Sequence, residues 1–428
     1  MTMLWLSVAV MLLLVLAGVP LYLSILTAVV IISFTVMHVD PTVLIGVMNT
    51  SVSNTMLIAV PMFIFAGQIL ARCGAITPLA RVMTAFMGHV PGGPAYAIIV
   101  GCVVFSAMSS TGMAGVAGFA PIVVPLMVGM GYSLSFAVGL LICSSSLAGL
   151  IPPAIFPIYY GYITNTSVVT LWTASIVPGI MIAFFLAVTV FVQTRRGHYK
   201  RLPAVSWKER LVALKGALPL LLMPAVVLGP LYGGYATPTE VSAIAVIYSL
   251  FLGIVFYREM TPGSFWETCK STVSIVSKIF LIVMAALLLN TAFVYMRLPY
   301  EIADWLSNLG LHWAALMAIV AVAFLLMGSF LDPVAIVLIS VPLLLPTLAI
   351  AGIERVPFGV FTAVAVELAT ITPPYGIALF AAASVLNLPF SFVARACLMF
   401  YPAIVLGMIL VAYVPQISMW LPNLLGQN

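Results

Sequence analysis

Apolar residues run through this chain in blocks long enough to enter or cross a bilayer, with few polar positions between them. No block alternates apolar with polar residues as an outer-membrane strand does, so the pattern predicts helices. Met3 to Met37 is almost wholly apolar, too long for one straight crossing and interrupted at Gly18-Val19-Pro20; it reads as one broken crossing. Asp40 to Thr55 is weakly amphipathic and reads as interfacial. Met56 to Leu70 reads as a span, and Ala75 to Met87, which contains Arg81, as an arm along the membrane surface. Pro94 to Met108 enters the bilayer again. Ser109 to Met130 opens with Ser109-Ser110-Thr111-Gly112 and is rich in Gly, Ala and Pro, which predicts a re-entrant hairpin of two short helices. A broken helix over Tyr132–Leu150 and Ala154–Ile163 follows, then a span over Ala174–Val192.

The same order returns after residue 215. Gly216–Tyr232 and Val241–Tyr257 flank Ala236-Thr237-Pro238-Thr239-Glu240 and are taken together as one crossing. An amphipathic arm over Pro262–Ser277 leads to spans at Ile279–Met296 and Leu311–Met327. A second hairpin runs over residues 328–350 through Leu331-Asp332-Pro333, and a second broken helix over Pro357–Ala369 and Gly376–Leu386. A last span covers Ala396–Val414. Subtraction confirms the repeat: Pro78, Pro121, Pro125, Pro152 and Pro153 recur 221 residues later at Pro299, Pro342, Pro346, Pro373 and Pro374, and Gly131 recurs as Gly352. The windows 78–153 and 299–374 hold seven prolines each, and five coincide without a gap; random placement would align about one at this composition. The chain therefore divides into a first repeat (1–194), a basic loop (195–215) and a second repeat (216–428), with broken helices at 132–163 and 357–386. One crossing each for 3–37 and 216–257 gives an odd number per repeat, which inverts the second unit.

Composition fixes the class. Of 428 residues 64% are hydrophobic and 6% charged, where a soluble domain carries about 25% charged residues. The reading is an all-α polytopic membrane protein. The net charge of +5 does not point to nucleic acid, because seven of the fifteen basic residues lie between Arg195 and Lys215. That cluster marks a cytoplasmic loop under the positive-inside rule. No Lys or Arg precedes Arg72, so the first apolar run is expected to be a retained segment and not a leader. The five cysteines have no metal or redox spacing, the four histidines form no ligand set, and no Walker A loop occurs, which excludes a self-contained ATPase.

The candidate chemistry sits at the paired prolines. Pro152 and Pro153 cannot donate to the carbonyls of Ala148 and Gly149, nor Pro373 and Pro374 to those of Ala369 and Thr370. At membrane depth each such carbonyl needs a partner, and ion-coupled transporters use breaks of this kind as cation ligands. A single break would be read as a plain kink; a break in both repeats points to a site. Ser106, Ser109, Ser110 and Thr111 supply hydroxyls beside the first break, as do Ser144–Ser146, although serine is also common helix-packing glue. The first hairpin tip, Ser109, Ser110, Thr111 and Gly112, is the candidate substrate-binding stretch. Asp332, followed by proline, starts a helix as its cap; it either caps only or also serves the site. Glu367 lies in an apolar run, either as a functional carboxylate or in a structural role, paired with Lys278 or in a polar core contact. Glu240 closes the T-x-x-E spacing of a capping box, a structural role.

Four motifs, Gly149-Leu150-Ile151-Pro152-Pro153, Thr372-Pro373-Pro374-Tyr375-Gly376, Leu331-Asp332-Pro333-Val334-Ala335 with Pro342 and Pro346, and Thr237-Pro238-Thr239-Glu240, come in an order that resembles the large membrane subunit of TRAP (tripartite ATP-independent periplasmic) transporters, the DctM family. The resemblance covers essentially the whole chain. It implies an elevator-type secondary transporter of the bacterial inner membrane and no enzyme. It further implies a small four-helix membrane subunit, a periplasmic substrate-binding protein, a small organic anion as cargo, and sodium as coupling ion with no other cofactor. Carried over, the first sodium site would use Ser106 and Ser109 with backbone oxygens of Ala148, Gly149, Ile151 and Pro153. The second would use Gly328, Ala369, Thr370, Thr372 and Tyr375, with Asp332 helping to organise it. Many members have an Asp where this chain has Gly115, so that carboxylate's role is absent here. Two other readings compete: a self-sufficient sodium–anion symporter or antiporter, and an intramembrane enzyme acting on lipid-linked substrates, which the sparse charges disfavour.

Overall fold

The structure, a computed structural model, describes residues 2–37, 40–109, 112–195, 199, 202–328, 330–373 and 376–427. The first repeat holds α1 (Thr2–Leu16), α2 (Leu21–Ile32, extended by a π-helical turn over Ser33–Met37), α3 (Pro41–Val52), α4 (Ala59–Arg72), α5 (Ile76–Met87), α6 (Gly93–Ser109), α7 (Gly112–Gly129), α8 (Leu134–Ser145, extended by a 3-10 turn over Ser146–Gly149), α9 (Phe156–Thr164) and α10 (Val168–Thr194). The second holds α11 (Trp207–Leu221), α12 (Met223–Tyr232), α13 (Pro238–Phe251, extended by a π-helical turn over Leu252–Phe256), α14 (Pro262–Tyr295), α15 (Leu298–Asn308), α16 (Trp313–Gly328), α17 (Pro333–Ile350), α18 (Arg355–Thr370), α19 (Ile377–Leu386), α20 (Phe390–Leu398), α21 (Tyr401–Tyr413) and α22 (Pro415–Leu424). No strand occurs among the described residues. Among the described residues six helices are long and apolar enough to cross a membrane, or up to eight if bent pairs count as one span.

The 221-residue displacement read from the prolines holds for the helices: it carries α7 onto α17 end to end, and α5, α8 and α9 onto α15, α18 and α19. The repeats exchange partners. α4 packs on α13 and α14 on α2; α7 packs on α19 and α17 on α9. They also run in opposite senses. The Arg355 guanidinium, at the start of the second broken helix, donates to the carbonyl of Thr164 at the end of the first (3.0 Å), and the Tyr160 hydroxyl donates to the Arg355 carbonyl (2.7 Å). The start of the first broken helix in turn packs against α20, just beyond the end of the second. The second repeat is inverted.

Several boundaries differ from the apolar pattern, each for a local reason. Over 3–37 two helices lie side by side, because Gly18 takes φ +82° and Pro20 begins the next helix, so the interruption is a turn between neighbours and not a break in one crossing. Residues 207–256 likewise form two helical segments, Trp207–Tyr232 and Pro238–Phe256, each long enough to span, so the one-crossing reading of either stretch fails and the inversion rests on the helix contacts, not on a count of crossings. Residues 112–129 form one helix that contains Pro121 and Pro125, and α6 is the other arm of that hairpin. The predicted arm at 262–277 and span at 279–296 fuse into one 34-residue helix, since no proline or glycine separates them. The basic loop ends early: the capping box of Ser206 and Glu209 starts α11 at Trp207, which places Lys208, Arg210 and Lys215 on a helix. The last span is divided between α20 and α21.

The core is built on α8 and α18. Every residue from Phe136 to Ser145 is buried, as is every residue from Pro357 to Thr370 except Glu367; helices that are apolar all round belong in an interior. Small residues let the backbones meet. A Cβ on Gly139 would overlap the Ala396 carbonyl, and one on Gly407 the Ile182 side chain, the contact by which membrane helices associate. α10 turns Ile180, Phe184 and Val192 outward, as a wall facing lipid does.

Candidate functional site

The two hairpins bring their tips, and the two broken helices their breaks, to one cavity of about 400 Å³. Its lining includes Gly112 at the first tip, Asp332, Pro333 and Val334 at the second, Ser145, Ser146 and Gly149 before the first break, and Glu367 and Thr370 before the second. Ile155, Phe156 and Tyr159 of α9, Ile377 and Ala378 of α19, Ile64 and Gln68 of α4, and Ile275 and Ile279 of α14 add to the lining. The first residues of α7, α9, α17 and α19 all reach the cavity, so four helix N-termini meet there. Such ends carry partial positive charge and free N–H groups suited to an anion.

At the first break, Leu150 and Ile151 both donate to the Leu147 carbonyl (3.0 Å each). Among the described residues no backbone donor reaches the carbonyls of Ala148 and Gly149, as the proline argument requires. The run from Leu150 to Ala154 is buried, with Ile151 against Gly179 of α10 and the Ala154 carbonyl accepting from the Trp172 indole (2.8 Å). α6, which carries the buried Ser106 and Ser109, packs on the turn Ser146–Gly149, so the proposed first-site residues converge. The second break is partly closed. Thr372 returns its N–H to the Ala369 carbonyl (3.1 Å), against the expectation that this carbonyl lacks a partner. The chain tightens into a turn before the prolines and recovers that bond. Thr370 accepts no backbone bond among the described residues, while its hydroxyl and that of Thr372 donate back to Glu367 and Leu368 carbonyls (2.7 and 2.6 Å). The Tyr401 hydroxyl donates to the Ile371 carbonyl. Gly328 lies directly on Ala369: a Cβ there would overlap the alanine's own.

Asp332 is the N-cap of α17 and accepts from the Val334 N–H (2.9 Å). Glu367 forms no pair with Lys278, which is exposed; the only ion pair among the described residues joins Arg72 and Glu267. Glu367 instead lies over Gly149, where a Cβ would collide with its carboxylate. Glu240 and Thr237 form the expected capping box. Gly115 stands 3.1 Å (from its would-be Cβ) from the Ser145 hydroxyl, so a larger residue there would displace that hydroxyl. Ser110, Thr111 and Tyr375 lie outside the described residues, and Ser109 is buried without lining the cavity. Gln68 and Tyr159 escape sequence reasoning. Gln68 is an amide in an apolar span and could have been flagged; Tyr159 looks like any core aromatic.

The sequence profile of the tripartite ATP-independent periplasmic transporter DctM component matches residues 8–417. The C4-dicarboxylate TRAP transporter large permease protein DctM of Pseudomonas aeruginosa is 33% identical over 87% of both chains. The ectoine TRAP transporter large permease protein TeaC of Halomonas elongata is 32% identical over 97% of this chain and 98% of its own. The sialic acid TRAP transporter large permease protein SiaM of Vibrio cholerae is 30% identical over 87% of both. Among solved structures, the YdaH transporter of Alcanivorax borkumensis superposes with a TM-score of 0.61 over 89% of this chain and 87% of that one; at 15% identity this likeness concerns the fold alone. On this match the chain belongs to the DctM family of tripartite ATP-independent periplasmic transporter components.

Proposed function

We propose that this protein is the large permease subunit of a sodium-coupled importer in the bacterial inner membrane. A periplasmic binding protein hands it a small organic anion, and a small four-helix membrane subunit supports it. The observation that carries this reading is the shared cavity: four helix N-termini suited to an anion meet beside backbone carbonyls of Ala148, Gly149 and Thr370 that accept no backbone bond. Carbonyl and hydroxyl oxygens are the ligands a desolvated monovalent cation needs, and a proton relay would call for more titratable groups. A sodium ion at each break would hold the tips and breaks together as one block, α6–α9 with α16–α19. That block would then slide as a unit against the wall of α2, α4, α13 and α14. The relatives are named for C4-dicarboxylates, sialic acid and ectoine, so kinship supports the class of cargo without choosing one. Reconstitution in proteoliposomes with the small subunit, with and without the binding protein, tests it. Sodium-driven uptake that needs the binding protein is expected; equal uptake without it would favour a self-sufficient symporter.

A further inference from the structure

The cavity's charges are unbalanced. Asp332 and Glu367 line it, and among the described residues no Lys, Arg or His does. The tip and break residues outside the described set, Ser110, Thr111, Ser329, Pro374 and Tyr375, add none. The two carboxylates differ in employment. Asp332 is engaged by its own helix through the Val334 N–H. The Glu367 carboxylate has no hydrogen bond or ion pair among the described residues, although it sits on a helix otherwise buried from Pro357 to Thr370. The cavity holds a second such group. Tyr159 is 1% exposed and lines the same cavity, and its hydroxyl has no hydrogen-bond partner. A buried hydroxyl without a partner is rare in a native interior, and together with an unpaired carboxylate in the same cavity it calls for a partner from outside the chain.

We infer that Glu367 determines specificity, receiving with Tyr159 a cationic N–H group of the cargo, so that the cavity takes a small carboxylate that also bears an ammonium or amidinium. This rests on the transport reading above. The lining offers two kinds of group. The N-termini of α7, α9, α17 and α19 suit the carboxylate end, and Glu367, at the C-terminal end of α18, suits the cation. Charge balance agrees. A sodium ion at each break would offset the two carboxylates; a zwitterion then adds no net charge, whereas a dianion leaves two uncompensated charges where the dielectric is low. A cavity of about 400 Å³ admits a metabolite of this size.

Three four-carbon acids differing only at the far end make the test: 4-aminobutyrate, succinate and butyrate. Each is titrated into the purified full-length chain in sodium and in potassium, with the thermal unfolding temperature as readout. In sodium, 4-aminobutyrate is expected to stabilise wild type at concentrations at least about tenfold lower than succinate or butyrate, as for a site built around a polar group. Glu367→Gln should erase the preference, and Tyr159→Phe, which removes only a hydroxyl, should narrow it if the glutamine variant does not fold. Succinate binding as well as 4-aminobutyrate, a preference that survives Glu367→Gln, or no response to any of the three overturns the inference. A preference for 4-aminobutyrate that is the same in potassium would instead leave the specificity standing and contradict sodium coupling.

Discussion

The first break and the second descend from one template yet are finished differently. At the first, Ala148 and Gly149 keep carbonyls without backbone donors, and the connecting run is buried against α10. At the second, Thr372 returns an N–H to Ala369 and Tyr401 binds Ile371, which leaves Thr370 as the carbonyl with no backbone donor among the described residues. The tips differ too: only the second has a carboxylate cap, Asp332, and only the second break has a carboxylate, Glu367, where the first has Ser146 at the equivalent position. A repeat fixes where a site can form; single residues decide how much of the backbone stays available to a cation.

The largest effect should follow from giving the breaks their donors back. Replacing Pro152 and Pro153 together by Ala supplies N–H groups to Ala148 and Gly149, and sodium-driven uptake should fall at least about tenfold while the protein folds, since the loss of one ligand set is worth more than a kcal/mol. The same change at Pro373 and Pro374 should cost less, because Ala369 already has its bond. Uptake measured for both double variants, alongside their unfolding temperatures, breaks the comparison if the second pair proves the more damaging.

Next in size are two glycine substitutions. A Cβ at Gly328 meets the Cβ of Ala369, which cannot swing away, so Gly328→Ala should lose about 1–3 kcal/mol of stability as overpacked sites do. A Cβ at Gly149 meets only the far end of Glu367, a flexible side chain. Gly149→Ala should therefore unfold near wild type and yet transport less well. Thermal unfolding of the pair measures the difference, and equal losses would mean that Glu367 is held as rigidly as Ala369.

Asp332→Asn comes third. Asparagine caps as well as aspartate to within a few tenths of a kcal/mol, so stability should hold. If the carboxylate helps organise the second cation site, the half-saturating sodium concentration should rise; unchanged sodium dependence leaves Asp332 a cap alone. The smallest effect is expected at the capping box away from the cavity: Glu240→Gln should lower the unfolding temperature slightly and leave the uptake rate as it is, because its carboxylate binds only Thr237.

Much of this was legible in the residues. Proline cannot donate a backbone N–H, so its spacing revealed the repeat, both breaks and the carbonyls of Ala148, Gly149 and Thr370, while the fourth that it implicated, Ala369, has a donor. Asp332-Pro333 and Thr237-Pro238-Thr239-Glu240 announced their helix starts, since capping is a local matter. What failed depended on tertiary geometry. Whether Gly18-Val19-Pro20 turns the chain back or merely bends it is decided by α1 packing on α2. The recovered Ala369 bond depends on a turn that no spacing encodes. Glu367 could be flagged as costly in an apolar run, but that it faces Gly149 across the repeat, and not Lys278, required the fold.

The central claim is that the breaks bind sodium and that this binding drives uptake. It is tested most directly by uptake into proteoliposomes with the binding protein and the small subunit present, comparing an inward sodium gradient with an inward proton gradient in potassium. Accumulation under the sodium gradient, lost when Pro152 and Pro153 are both Ala, is the predicted result. Equal accumulation in potassium driven by the proton gradient would contradict it.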